Sequence, residues 1–207
     1  MKKTKNKVSL GFTKEPLPVS CHACLIYEDE VQRKTIVSEF IKAGLQQGEF
    51  VRYFADKTSP ESIRLWLLEN GIEISAIEEN GSFGIVAAEN AYCPEGRFDP
   101  NDMINRSIKR YDSAKAEGYV GSRACGEMSW TLKGLPGSER FLEYENLLNN
   151  NYSNFPHTGM CQYDARLFDG AVLLKVLQVH PYIIAQGQVV QNPYYIRPEN
   201  FKVKFKI

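Results

Sequence analysis

HACLIYEDEVQRKTIVSEF, residues 22–40, decides the fold. The apolar run His22–Tyr27 reads as a strand. Ile36, Val37, Phe40, Ile41 and Leu45 then recur at helical spacing. A strand running directly into an amphipathic helix is where a nucleotide-binding α/β domain places its phosphate loop. Lys34-Thr35 even ends the pattern G-x-x-x-x-G-K-[ST], but Glu28 and Arg33 occupy both glycine positions. A working loop needs glycines, because its backbone N–H groups must converge on phosphate in conformations closed to other residues. A carboxylate 4 Å from a phosphate charge costs about 4 kcal/mol at the dielectric near a surface. Glu28, Asp29 and Glu30 are therefore read as the acidic first turn of a capped helix.

Outward from this stretch, strands and helices alternate. Phe50–Asp56 reads as a second strand, and Ser59-Pro60-Glu61 as a helix start running to Gly71. Gly81–Asn90 reads as a third strand, preceded by a short one at Ile72–Ile77. Asp99-Pro100 opens a helix that ends near Gly118, and Tyr119–Trp130 reads as a strand running into a loop. Ser138 caps a further helix, Met160–Phe168 reads as the fifth strand, and Asp169 starts a last helix that Pro181 breaks. His157 is placed in a solvent-facing loop, and His180 at a helix end where a cation suits the dipole. The alternation predicts an α/β fold: a mainly parallel central sheet with helices on both faces, a three-layer sandwich. Residues 1–20 read as an arm and 21–207 as a single domain, with an extension from about residue 186 that forms a lid, a partner surface or a packed tail.

Lys+Arg equals Asp+Glu at 25 each, so net charge selects no partner, and the basic clusters are confined to the termini. Direct nucleic-acid binding is not expected. No stretch approaches the roughly 18 apolar residues of a membrane span. The basic N-terminus lacks the apolar core of an export signal. Five cysteines, an odd number spread over a sizeable chain, fit reduced thiols in a cytoplasmic protein.

The combination H-A-C-L-I-Y at 22–27, F-I-K-A-G-L-Q-Q-G-E-F at 40–50, G-E-M-S-W at 126–130 and C-Q-Y-D at 161–164 resembles the MEDS domain. That is the sensory domain of methanogen and methylotroph regulators. The resemblance implies a module sensing simple hydrocarbon derivatives, such as methylated or halogenated C1 compounds. It also implies a RecA-like core whose nucleotide chemistry is lost or altered. A histidine kinase or DNA-binding regulator would be the output partner, or the signal would pass through a homo-oligomer.

In parallel sheets ligands bind outside the carboxyl ends of the strands. The candidate ligand-binding residues are His22, Cys24, Tyr27, Glu89, Arg123, Glu127, Trp130, Cys161, Tyr163 and Asp164, with Tyr27, Phe54, Tyr92, Trp130 and Tyr163 as apolar walls. Glu127 sits where a RecA-type enzyme holds a carboxylate near the attacking water. The alternative function is nucleotide binding through Lys34, Thr35 and Glu127 with magnesium. A simpler reading pairs Glu127 with Arg123 and buries Trp130. Cys21-His22-x-Cys24 is half a metal site. His22 and Cys24 share a strand face that Cys125 or Cys161 could join, but buried cysteines acting as small hydrophobes are commoner. No metal, cofactor or catalytic residue is therefore assigned.

Overall fold

The computed structural model describes residues 7–152 and 157–201. The terminal lysines at 2, 3, 5, 202, 204 and 206 lie outside the described residues. A two-residue ladder comes first, β1 (Lys7–Val8) against β2 (Leu17–Pro18). Seven strands then form one sheet: β3 (His22–Tyr27), β4 (Phe50–Ala55), β5 (Phe83–Ala87), β6 (Ser122–Glu127), β7 (His157–Asp164), β8 (Tyr182–Ala185) and β9 (Gln188–Gln191). Their order across the sheet is β5-β4-β6-β7-β3-β8-β9, parallel throughout except for the antiparallel β8–β9 hairpin.

The helices follow from local signals. α1 (Glu30–Gln46) starts at Asp29, whose carboxylate accepts from the amides of Val31 and Gln32, and it stops before Gly48 at φ +77°. α2 (Pro60–Glu69) has Ser59 as cap and Pro60 in its first turn. Two short helices follow, α3 (Ser75–Glu79) and α4 (Ala88–Tyr92), then α5 (Pro100–Ala116) capped by Asp99. α6 (Phe141–Asn151) and α7 (Gly170–Val179), capped by Asp169, complete the set.

Strand alternation divides the core in two. Leu25, Val51, Tyr53 and Cys125 face α1 and α2, burying Ile36, Phe40, Ile41, Ile63 and Leu67. Cys24, Phe54, Cys161 and Tyr163 face the other way, against Met103 of α5, Tyr144 and Leu148 of α6, and Val176 and Val179 of α7. The expected three-layer α/β sandwich is the observed one.

Three local expectations need correction. Ile72–Ile77 is not a strand; its polar flanks give the short helix α3 instead. The third strand ends at Ala87 and the chain turns helical, since Ala88, Glu89 and Asn90 favour a helix start over a pleat. His157 opens β7, with its ring nitrogen Nδ1 2.6 Å from Ser122 Oγ on the neighbouring strand. Residues 182–191 form a hairpin that completes the sheet edge. Asn192 then ties the following segment back by donating to the carbonyls of Leu177 and His180.

Candidate functional site

The carboxyl ends of β3, β4, β6 and β7 surround a crevice of about 250 Å³, lined by residues that include Tyr27, Arg33, Glu127, Gln162 and Asp164. The turn that would hold a phosphate is almost absent, because Tyr27 ends β3 and Asp29 already caps α1. The Asp29 side chain takes the amides of Val31 and Gln32 at 2.7 and 3.1 Å, and its carbonyl takes that of Arg33. A carboxylate of the chain itself thus occupies the amides an anion would need. Lys34 turns over the ring of Trp66, and the Thr35 hydroxyl donates back to the Val31 carbonyl. Neither reaches the crevice.

Arg33, in the second glycine position, is 2% exposed and fills that space. It donates to Tyr27 Oη at 2.7 Å and to Thr58 Oγ1, lies 3.4 Å from Glu127, and stacks on Trp66. Burial pushes the Tyr27 phenol up to about 12 against the opposing pull of Arg33.

Glu127 closes the floor. Its Oε1 accepts from Tyr53 Oη at 2.7 Å, and its Oε2 accepts from the backbone amides of Asp56, Lys57 and Thr58. The expected partner Arg123 is at the other end of β6. There it donates to Glu49, to the Phe40 carbonyl and to the Ser9 carbonyl. Gly44 makes that reach possible, since a Cβ there would meet Arg123 Cδ at 2.7 Å. Gln162 is 2% exposed and lines the crevice, yet neither its Oε1 nor its Nε2 has a hydrogen-bond partner. Asp164 is gripped by Arg166, which outweighs burial and holds its carboxyl below the usual range.

The sequence-predicted residues therefore separate. Tyr27, Glu127 and Asp164 meet in the crevice. Glu89 is outside the crevice lining and shares Lys133 with Asp56. Trp130 is stacked on Tyr92 at 4.7 Å inside the core, and Phe54 and Tyr163 join the same cluster, so all the expected aromatic walls except Tyr27 belong to the core of the opposite sheet face. Sequence reasoning does not find Arg33 or Gln162 as site residues: Arg33 reads as a cation in a glycine position, and Gln162 is an amide on a strand with no motif of its own.

His22, Cys24, Cys161 and Tyr163 lie behind the sheet, beneath α6 and α7. His22 and Glu145 are fully buried, with Nε2 and Oε2 3.1 Å apart. Cys161 Sγ lies 3.5 Å from each of those atoms. His180 Nε2 lies 3.6 Å from the same carboxylate oxygen, and Tyr163 Oη donates to the other at 2.9 Å. Cys24 Sγ is instead directed to the Tyr182 carbonyl. His180 is not the exposed helix-end cation expected from sequence: it is 0% exposed, and burial with the neighbouring His22 lowers it to about 4. All five cysteines are free and buried.

This sheet order, with polar groups gathered at the carboxyl ends of parallel strands, defines a three-layer α/β domain. The fold is shared with a KaiC-like protein of Pyrococcus horikoshii OT3 at a TM-score of 0.61 and 15% identity, over 86% of this chain and 78% of that one. A second Pyrococcus horikoshii protein, solved with an unknown peptide, matches at a TM-score of 0.60 and 17% identity, over 84% and 82%. Residues 21–181 match the MEthanogen/methylotroph, DcmR Sensory domain, and the chain belongs to this MEDS family. A transcriptional repressor, DcmR of Methylorubrum extorquens, is 24% identical over 160 residues, covering 77% of this chain and 57% of the repressor. The chain thus spans little more than half the length of that relative. No helix among the described residues is long and apolar enough to cross a membrane.

Proposed function

We propose that the chain is the ligand-sensing module of a regulatory system, and that its ligand occupies the crevice over Gln162. The observation that carries this is the buried Gln162 amide, whose donor and acceptor are both unspent at the floor of a cavity. A buried amide left unmatched costs about 1–3 kcal/mol, which a ligand offering both an acceptor and a donor would recover. At about 250 Å³ the cavity falls below the range for drug-sized ligands, so the occupant is compact. Its polar lining favours a methylated C1 compound bearing a hydroxyl or amine over a bare halocarbon. A cytoplasmic setting, supported by five free cysteines, and a histidine kinase or DNA-binding partner or a homo-oligomer, supported by family membership, complete the reading. The nucleotide alternative is disfavoured because Asp29 consumes the helix-start amides while Lys34 and Thr35 face away.

Thermal-shift titration with short alcohols, methylated amines, halomethanes and ATP–magnesium tests this. A ligand at 100 times its Kd adds about 2.7 kcal/mol of stability. A small polar compound should stabilise the protein, and Gln162→Leu should weaken it at least tenfold. Stabilisation by ATP–magnesium alone, abolished by Lys34→Ala, would reverse the assignment.

A further inference from the structure

The geometry points to a closed, four-coordinate zinc-class metal site on the opposite face of the sheet, formed by His22, Glu145, Cys161 and His180. The four donor atoms come from β3, α6, β7 and the end of α7, and all lie within 4.8 Å of one another. Zinc bonds of about 2.0–2.3 Å place tetrahedral ligands ~3.3–3.8 Å apart. Four of the six separations between these atoms, 3.1, 3.5, 3.5 and 3.6 Å, lie in or next to that range, and the other two are within 4.8 Å.

The surrounding hydrogen bonds fix which atoms face the centre. Asn149 donates its Nδ2 to the carbonyls of Glu145 and Val179, so its Oδ1 must accept from His22 Nδ1 at 3.0 Å. His180 Nδ1 lies 2.8 Å from the Val176 carbonyl, which can only accept. Both imidazoles therefore carry a proton on Nδ1, so in its neutral form each turns an Nε2 lone pair toward the same carboxylate. Tyr163 occupies Glu145 Oε1 and leaves Oε2 to the centre. His180 Nε2 has no hydrogen-bond partner, although the residue is fully buried. Two imidazole nitrogens, a carboxylate oxygen and a sulfur converging in a fully buried space call for positive charge between them. One divalent ion supplies it and matches the combined charge of a carboxylate and a thiolate. Outer partners that orient the imidazoles and the carboxylate are what metal ligands ordinarily have. Histidine nitrogens with cysteine sulfur and one carboxylate select zinc or a similar ion over magnesium or calcium. Asn149 and Pro181, beside two of the ligands, line an open cleft of about 330 Å³, which none of the four ligands itself reaches.

Metal content of the chain purified without a metal-affinity tag should be about one zinc per chain. A chelator should remove it and lower the thermal midpoint, and added zinc should restore both. Cobalt loading should give a tetrahedral visible spectrum with a sulfur-to-cobalt charge-transfer band, and Cys161→Ala should remove that band. Asn149→Ala, which touches no ligand atom that binds the metal, should weaken zinc about 10–100-fold. If Cys161→Ala does not fold, the unsubstituted protein and Asn149→Ala decide the matter. Zinc well below one per chain after equilibration with excess, with no charge-transfer band on adding cobalt, would overturn the site and leave protons as the balancing charge. Gln162→Leu should leave metal content unchanged, so this site and the crevice can fail separately.

Discussion

Glu127 accepts from a phenol, a guanidinium and three main-chain amides, and so fixes the β4–α2 turn against β6. A glutamine there would aim an NH2 at donors on one side or the other. Glu127→Gln should destabilise the fold by about 3 kcal/mol, the cost of breaking a buried charge pair, read from urea midpoints. A loss below about 1 kcal/mol would mean the turn is held by something else. Gly44 offers a second test. Alanine there gains about 1 kcal/mol of helix propensity but drives Cβ into Arg123 Cδ at 2.7 Å and Val51 Cγ2 at 3.1 Å. Gly44→Ala should still destabilise, by about 1–3 kcal/mol, because the Arg123 side chain is tied to Glu49 and two carbonyls and cannot yield cheaply. Neither role is legible in the sequence. Glu127 could be placed at a strand end, but its partners arrive from residues 53–58 and 33, and Arg123 faces the same side of β6 a full strand-length away.

At the scale of the element, the strand-to-helix junction was the most readable part of the chain. The apolar run, the acid at the turn and the 3.6-residue periodicity gave β3 and α1 nearly as observed, because each signal is local. Asp29→Ala should cost about 1 kcal/mol by loss of the cap, measured by thermal denaturation. It should gain no affinity for ATP–magnesium, since Arg33 still fills the cradle. Micromolar ATP binding by this variant would show that the cap alone excludes phosphate. The elements the sequence obscured are those whose identity depends on distant neighbours. β7 begins at His157 because β6 offers it a ladder, and the β8–β9 hairpin exists because β3 leaves an edge to be covered. A helix declares itself by its own spacing; an edge strand declares itself only to its partner.

For the whole molecule, the sheet is a wall between two polar centres, and only the sorting by face explains how the predicted residues fall. The sequence placed them near one another along the strands but could not assign Glu145, which sits mid-helix among apolar residues and resembles a surface charge. Acid sensitivity belongs to this scale. His157, partly buried beside Ser122, is lowered to about 3 by burial and by the nearby Arg110. Its folded value lies below the ordinary 6.5, so the unfolded chain takes the proton first. The stability it contributes is present above about pH 6.5 and is lost as pH falls toward 3, at up to about 1.4 kcal/mol per pH unit. Replacing it, as in His157→Asn, should flatten the acid limb of a stability–pH curve by one proton's slope. An unchanged limb would place the titration elsewhere. β7 itself carries a last implication. Its odd-numbered side chains Cys161 and Tyr163 serve one compartment and its even-numbered Gln162 and Asp164 serve the other. A single residue inserted after Gly159 would turn this strand inside out, handing thiol and phenol to the open side and amide and acid to the sealed one. The two chambers share a frame of reading, and evolution can shift neither without shifting both.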